Sequence, residues 1–264
     1  MAYSYDKVLA KTTYRSDITL LVKHNIYEFD IAKANINILL AKGVISYDKY
    51  NELLYTSRIE RQVWAGKYIR DNNLHRLLKE GIIEYKYRFL SENNIDPEMI
   101  LCIHNDSIFL IDTYPKVTVF DNIEFVNRGE YNSFIDIDGI EIYSFRDMLR
   151  NDLSIRGLSL KAKQNHENFM FKFIVDTLEL LNKDRADLAI SKIKDFRFKY
   201  LSRQVPIEYY RELTPASLYV TVYGNDTYYF ESINRDMINM VDLSYNDRIL
   251  RFLYAMICKV YLKK

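Results

Sequence analysis

The chain has 264 residues, of which 48% are hydrophobic and 28% are charged, so it is long enough for one large or two small globular domains. Its formal net charge of +1 excludes a protein that binds nucleic acid through its overall charge, and a site for polyanions would have to be a local patch. Its two cysteines exclude a disulfide framework and a cysteine-rich metal cluster, and we expect no membrane span because no apolar stretch is long enough.

The N-terminal part of the chain predicts one strand followed by four helices. Residues 25–31 alternate polar and apolar side chains, which indicates a short strand. The helix that follows is expected to end at Gly43, and Ser46 is expected to cap the next helix. Two further helices are predicted within residues 57–94, and Gly81 lies inside the second of them.

After Pro97 the hydrophobic pattern changes to a period of two residues, which is typical of antiparallel strands. Strands are predicted over residues 98–104, 107–112, 116–121 and 123–145. Inside the last stretch, turns are expected at residues 127–129 and at Asp138-Gly139, because these residue types favour tight hairpins.

The C-terminal third is predicted to be mainly helical, with helices from about residue 161 and over residues 188–201. A late hairpin is expected around Gly224-Asn225, and Ser244 is expected to open the last helix. The residues of that helix predicted to face inward are Ile249, Leu253, Met256 and Val260. This order of elements predicts the α+β class, with an antiparallel sheet, packed helices and a helical C-terminal region.

Two carboxylates stand at positions where strands end. Asp30 lies where the first strand gives way to a helix, and Asp106 lies at the tip of a hairpin. If the two strands are neighbours, both side chains project from one edge region of the sheet. Two such acids can bind a pair of divalent ions about 3.5–4 Å apart. Mg²⁺ prefers oxygen ligands, so we expect two Mg²⁺ or Mn²⁺ ions at Asp30 and Asp106.

Three segments resemble the palm core of family B DNA polymerases. "YEFDIAKANINIL" resembles motif A, in which a strand ends in a metal-binding Asp before a helix. "LCIHNDSIFLI" resembles motif C, a strand, an acidic turn and a second strand. "RQVWAGKYI", between them, is similar to motif B of the fingers helix. The order A, B, C is that of the family, and the resemblance implies a palm-like sheet and metal-dependent nucleotidyl transfer from a nucleoside triphosphate onto a primer.

The resemblance implies a role for each matching residue. Asp30 and Asp106 would be the catalytic metal ligands of motifs A and C. Arg61 would hold the triphosphate, for which a guanidinium is well suited, and Tyr68 would lie near the incoming base. Asn35 stands where the family has the Tyr that screens the sugar, so sugar selectivity is left open.

Several positions depart from the family pattern. Asn105 replaces the first Asp of motif C, and Ala65, Gly66 and Ile69 replace the Asn, Ser and Gly of motif B. These departures favour a second hypothesis, a non-catalytic descendant of the palm. Such a protein would bind nucleic acid or a protein partner, for example as a viral regulatory or inhibitory factor. Retention of both Asp30 and Asp106 favours the enzyme.

The resemblance also implies a division of the chain. Residues 1–150 would form a palm-like domain with a small fingers-like helical insertion at about 46–93, and residues 151–264 a mainly helical region serving as a reduced thumb or a docking surface. The partners would be nucleic acid and a nucleoside triphosphate. Another protein chain would join them if this is one piece of a split polymerase.

Each candidate residue also has a structural interpretation. Asn105-Asp106 suits a two-residue hairpin turn because both residue types tolerate positive φ. Asp30 suits the N-cap of the following helix. Arg61 and the basic residues around it suit a solvated helix face. The basic residues between Lys192 and Arg203 suit either the outer face of a packed helix or a groove for nucleic acid.

The cellular location is predicted from the N-terminus and the composition. The first residues contain no apolar segment typical of a signal peptide, so we expect a soluble cytoplasmic protein. The abundance of Tyr, Ile, Asn and Lys indicates an AT-rich coding genome and suggests a viral origin. The cytoplasm would then be that of the host cell.

Overall fold

The computed structural model of the chain describes residues 15, 17–68, 72–145, 154–156, 167–212, 219–222, 227–229, 233 and 236–261. These residues form an antiparallel sheet of seven strands, a two-stranded hairpin and seven α-helices. The predicted α+β class is confirmed. Within the described ranges, no helix has the length and apolar character needed to cross a lipid bilayer.

The strands and helices are numbered in chain order. The strands are β1 (Leu20–Ile31), β2 (Ile100–Ile103), β3 (Ser107–Ile111), β4 (Val119–Phe120), β5 (Ile123–Ile137), β6 (Ile140–Phe145), β7 (Ser154–Arg156), β8 (Tyr219–Thr221) and β9 (Thr227–Tyr229). The α-helices are α1 (Ala34–Ala41), α2 (Tyr47–Leu54), α3 (Arg58–Tyr68), α4 (Asn72–Glu92), α5 (Lys172–Asn182), α6 (Ala186–Leu201) and α7 (Ser244–Tyr261). The large sheet has the order β2-β3-β1-β5-β6-β7, with β4 paired to β5, and β8 pairs with β9.

The chain divides into two compact units, and the long strands β1 and β5 contribute residues to both. The first unit comprises Asn25–Glu130 and the described residues before Thr19. The second comprises Thr19–His24 and the chain from Tyr131 onward. Each unit has its own hydrophobic core.

The core of the first unit joins strands β1 to β5 with helices α1 and α4. Phe29 of β1, Ile38 of α1 and Phe89 of α4 are almost completely buried in it. Phe89 stacks on Phe125 of β5 with the ring centroids 4.3 Å apart. Burial of such side chains is the main favourable contribution to folding, so α4 is firmly fixed against these strands.

The helix boundaries in the first unit follow the signals in the sequence. Gly43, just after α1, has a φ of +66°, a left-handed conformation that glycine adopts without strain. The Ser46 hydroxyl oxygen accepts a hydrogen bond of 3.2 Å from the Lys49 backbone N–H at the start of α2. Both predicted boundaries are confirmed.

Helix α4 runs without interruption through Gly81, and α1 comes very close to it at that point. A Cβ atom at Gly81 would lie 2.4 Å from Cγ2 of Ile38, closer than two carbon atoms can approach. The glycine therefore serves helix packing, and it does not mark a break in the helix.

The core of the second unit is built from strands β5 to β7 and helices α5 to α7. Phe173 of α5 stacks on Phe196 of α6 with the ring centroids 4.2 Å apart. Ile249 and Leu253 of α7 are buried as predicted, but the prediction for Val260 is wrong because its side chain is 48% exposed. Val260 lies in the last turn of α7, and helical periodicity does not tell where the elements that cover a helix end.

The structure distinguishes the two turns predicted between residues 123 and 145. The turn at Asp138-Gly139 is confirmed, with φ values of 55° and 83° that match a type I′ hairpin between β5 and β6. The turn predicted at residues 127–129 is wrong, since β5 continues through it. There the Asn127 side chain accepts a hydrogen bond from the Gly129 N–H within the strand.

The late hairpin is confirmed by its two strands. Tyr219 of β8 pairs with Tyr229 of β9 in antiparallel register. The predicted turn residues Gly224 and Asn225 lie outside the described residues.

Candidate functional site

The ends of β1 and of the β2–β3 hairpin meet in the first unit. Asp30 of β1 is the register partner of Ser107 of β3, and the Ile31 N–H donates a 3.0 Å hydrogen bond to the Asp106 carbonyl oxygen. The structure therefore brings Asp30, near the end of β1, next to Asp106 in the β2–β3 turn, although 75 residues of chain separate them.

The two oxygens of the Asp30 carboxylate differ in their hydrogen bonding. Its Oδ2 accepts a hydrogen bond of 3.3 Å from Nε of Arg128 on β5. Its Oδ1 is buried and accepts no hydrogen bond from any residue that the structure describes. Burial raises the pKa of Asp30 to about 6, and the negative charges of Asp106 and, less strongly, Glu28 contribute, while Arg128 opposes the rise.

Asp30 does not cap the following helix, so that interpretation is wrong. Helix α1 begins at Ala34, and its N-cap is Lys33, which has a φ of 46° and makes no side-chain capping bond. The strand geometry of β1 instead continues through Ile31. The turn that follows is held by Asn37, whose Nδ2 donates to the Ala32 carbonyl oxygen at 2.6 Å.

The two-residue hairpin turn predicted at Asn105-Asp106 is present between β2 and β3, but the positive φ expected there is not. Asn105 and Asp106 are described residues, and neither is among those with positive φ. The His104 N–H donates a 3.1 Å hydrogen bond to the Ser107 carbonyl oxygen across the turn. The local backbone thus does not require an Asn-Asp pair on conformational grounds.

A buried lysine braces this turn from helix α4. Nζ of Lys86 donates to the carbonyl oxygens of His104 at 3.0 Å and Asn105 at 2.8 Å. Lys86 is only 3% exposed. Its burial lowers the pKa of Lys86 to about 8, while the negative charge of Asp106 acts in the opposite direction.

The sequence interpretation missed Lys86 and Arg128. Lys86 has a recognisable signal, because it stands one turn after Ile82 and three residues before Phe89, within the apolar stripe of α4. A lysine at such a position needs a buried partner. Arg128 has no comparable signal, because it was assigned to a turn that proves to be part of β5.

The three residues predicted to bind the nucleotide lie on helices α1 and α3. The Arg61 guanidinium donates a hydrogen bond to the Thr56 carbonyl oxygen just before α3. Among the described residues, no hydrogen bond or ion pair joins Arg61 to either aspartate. Asn35 is half-buried on α1, and the side chain of Tyr68, the last residue of α3, lies outside the described part of the structure.

Three of the basic residues between Lys192 and Arg203 make contacts inside the second unit. Arg197 forms a two-bond ion pair with the Asp247 carboxylate, and Lys192 lies 3.5 Å from Asp176. Arg203 donates to backbone carbonyl oxygens, among them that of Ile238 at 2.9 Å. These contacts favour the outer face of a packed helix over a groove for nucleic acid.

A known protein family covers almost the whole chain. The family described as Bacteriophage PBS1 gene 130 protein matches residues 3–262. The chain belongs to this family. The viral origin suggested by the composition of the chain is therefore confirmed for this member of the gene 130 family. No curated protein matches the chain.

Proposed function

We propose that this gene 130 family protein is a palm-like nucleotidyltransferase that depends on divalent metal ions. The observation that carries the proposal is the juxtaposition of Asp30 and Asp106 at adjacent strand ends, with one Asp30 oxygen buried and without a hydrogen bond from the described residues. Acidic side chains whose pKa is shifted by burial and by a neighbouring charge are frequent at functional sites.

The chemistry of the two side chains fits Mg²⁺ or Mn²⁺. Both ions favour carboxylate oxygens, and the buried Oδ1 of Asp30 is an acceptor whose desolvation is not compensated by a described partner. When bound, a pair of such ions would stabilise the charge on the attacking and leaving oxygens of phosphoryl transfer. Asp30 and Asp106 would act as ligands, and the rise in the Asp30 pKa is what a bound cation would reverse.

The proposal assigns the nucleotide and the nucleic acid to the same unit. Asn35, Arg61 and Tyr68 remain its candidate nucleotide-binding residues by resemblance. Arg128 joins them because its guanidinium pairs with Asp30 and is half exposed. The reaction would occur in the host cytoplasm, with a second protein chain required if the protein is one part of a split polymerase.

A Mn²⁺ titration monitored by electron paramagnetic resonance tests the proposal. We expect saturable binding to the wild type, tightened by a nucleoside triphosphate, and its loss in Asp30→Asn/Asp106→Asn. The matched control is Asp48→Asn/Asp195→Asn, which removes the same charge at two exposed helical positions. Binding that is equal in all three proteins, or absent from the wild type, would refute the metal site.

Primer extension then separates the metal site from the reaction. The wild type should extend a primer on a DNA or RNA template only with Mg²⁺ or Mn²⁺, and the double variant should not. Metal and nucleotide binding without extension, in the presence of candidate partner chains, would favour the non-catalytic hypothesis.

One observation supports that second hypothesis, a non-catalytic binding protein derived from the palm. Each acid already has a cation of the protein nearby: Arg128 pairs with Asp30, and Lys86 is close enough to Asp106 for their charges to interact. If these cations are permanent partners, the four residues form a structural charge cluster. In this form of the non-catalytic hypothesis, the wild type would bind no Mn²⁺ at any pH at which it is folded, whereas binding without primer extension would indicate a non-catalytic protein that keeps the metal site.

A further inference from the structure

We infer that Lys86 is a positioning residue, which holds the β2–β3 turn from helix α4 so that the Asp106 carboxylate stays beside Asp30. The inference rests on the proposed metal site and adds to it a residue that the motifs do not contain. Lys86 itself would touch neither the metal nor the substrate.

The geometry of Lys86 is that of a brace. Its Nζ donates to two consecutive carbonyl oxygens of the turn, His104 at 3.0 Å and Asn105 at 2.8 Å. These two residues directly precede Asp106, so the bonds restrain the backbone that carries the carboxylate. Hydrogen bonds from a charged donor are stronger than those between neutral groups, especially where water is excluded.

The helix that carries Lys86 is firmly packed. Helix α4 is fixed by the burial of Phe89 and Leu90 and by the close approach of α1 at Gly81. The turn is less constrained, because Asn105 is exposed and Asp106 is only half-buried. Lys86 therefore holds the tip of the β2–β3 hairpin in a fixed position relative to helix α4.

The burial of a lysine at this place argues against a role in stability alone. Taking an ammonium group out of water is unfavourable, and a hydrophobic side chain of the same length would fill the space without that penalty. A fixed Asp106 is what the buried charge provides.

The direction in which Lys86→Met changes the affinity for a cation distinguishes a positioning role from a purely electrostatic one. Lys86 is a positive charge near Asp106, so if it acted only through its charge, Lys86→Met would tighten the binding of a cation. If it acts by holding the turn, the same change weakens binding despite the loss of a competing charge. Arg128→Ala provides the comparison, because the Arg128 side chain is paired with the Asp30 carboxylate.

The experiment measures Mn²⁺ dissociation constants by electron paramagnetic resonance for the wild type, Lys86→Met, Lys86→Gln and Lys79→Met. We expect Lys86→Met to bind at least about tenfold more weakly, as is typical when a residue that orients a metal ligand is lost. Lys86→Gln keeps a neutral donor and should recover part of the affinity. Lys79→Met, an exposed lysine on the same helix, should match the wild type. Arg128→Ala should bind about two- to fivefold more tightly, as expected when an exposed ion pair is removed.

Hydrogen exchange gives a readout that does not depend on the metal. Peptides that cover the β2–β3 turn should exchange faster in Lys86→Met than in Lys79→Met, while peptides from α1 should not change. If Lys86→Met does not fold, the comparison is made with Lys86→Gln, whose affinity should lie below that of Lys79→Met.

Two results would overturn the inference while leaving the proposed function intact. One is Mn²⁺ binding by Lys86→Met or by Lys86→Gln that equals or exceeds that of the wild type. The other is unchanged exchange at the turn. If the wild type itself binds no Mn²⁺, the proposed metal site fails, and the role of Lys86 in positioning a ligand fails with it.

Discussion

The Asp30 carboxylate lies in an environment that disfavours its negative charge. Its pKa is raised from 3.8 to about 6, mainly by burial and by the Asp106 charge, so folding favours the protonated form. The resulting stabilisation is fully present below about pH 4 and is lost as the pH rises through about 6. At pH 7.5 the ionised Asp30 therefore destabilises the metal-free protein.

We predict that Asp30→Asn raises the free energy of unfolding at pH 7.5 on the order of 2 kcal/mol, and that this gain disappears near pH 4. Urea denaturation at the two pH values checks it, with Asp195→Asn as the control at an exposed site. A gain that is the same at both pH values would mean that the ionisation of Asp30 is not its cause. A loss at pH 7.5 would mean that the ion pair with Arg128 outweighs the burial of the charge.

The sequence identified some of the residues at this site and missed others for physical reasons. The proximity of Asp30 and Asp106 could be anticipated, because Asp30 lies near the end of β1 and Asp106 lies in the β2–β3 turn. Arg128 could not, because the same Asn-Arg-Gly residues suit a turn and the strand geometry that β5 adopts. Lys86 was recognisable as an anomaly in an apolar stripe, but its two acceptors are backbone carbonyls, which no residue type reveals.

At the level of elements, the contact between α1 and α4 depends on the absence of a side chain at Gly81. We predict that Gly81→Ala lowers the free energy of unfolding by about 1–3 kcal/mol, because the added methyl group would overlap Ile38. Alanine favours a helix over glycine by up to about 1 kcal/mol, so propensity alone predicts the opposite sign.

Gly66 on α3 is the matched control for that prediction. It is also helical, but an added Cβ would meet no atom within 4 Å, so Gly66→Ala should stabilise the protein by up to about 1 kcal/mol. Thermal and urea denaturation of both variants give the comparison. Stabilisation by both substitutions would show that α1 and α4 can move apart at no cost.

Elements with explicit backbone signals were predicted well. Gly43, Ser46 and Asp138-Gly139 each meet a conformational or hydrogen-bonding requirement at the position where they occur. The extent of β1 was underestimated, because it begins at Leu20 and its first residues do not alternate clearly. Periodicity identifies the centre of an element better than its ends.

At the scale of the whole molecule, the α+β class followed from the order of helical and strand patterns. The pairing of β1 with β3 did not, because the four helices α1 to α4 lie between them in the chain. Many strand orders satisfy the same local pattern, and long-range burial selects among them. The metal hypothesis requires β1 and β3 to be neighbours, and they pair in the structure.

A bound cation should act on the stability of the folded protein as well as on the two acids. A ligand that binds only the folded state stabilises it by about 2.7 kcal/mol at 100 times its dissociation constant. We predict that Mn²⁺ raises the urea midpoint of the wild type and of Asp48→Asn/Asp195→Asn, but not that of Asp30→Asn/Asp106→Asn. Electron paramagnetic resonance and urea denaturation should give the same dissociation constant for Mn²⁺.

The pH dependence of that stabilisation separates a specific site from general attraction to the 36 acidic residues of the chain. Protons compete with the cation at Asp30, whose pKa is about 6, so the gain from Mn²⁺ should shrink between pH 7.5 and pH 5. Carboxylates with ordinary pKa values near 4 remain ionised in that range, so weak binding to the surface should change little. A gain that persists unchanged at pH 5, or that occurs equally in the double variant, would place the bound Mn²⁺ elsewhere on the protein.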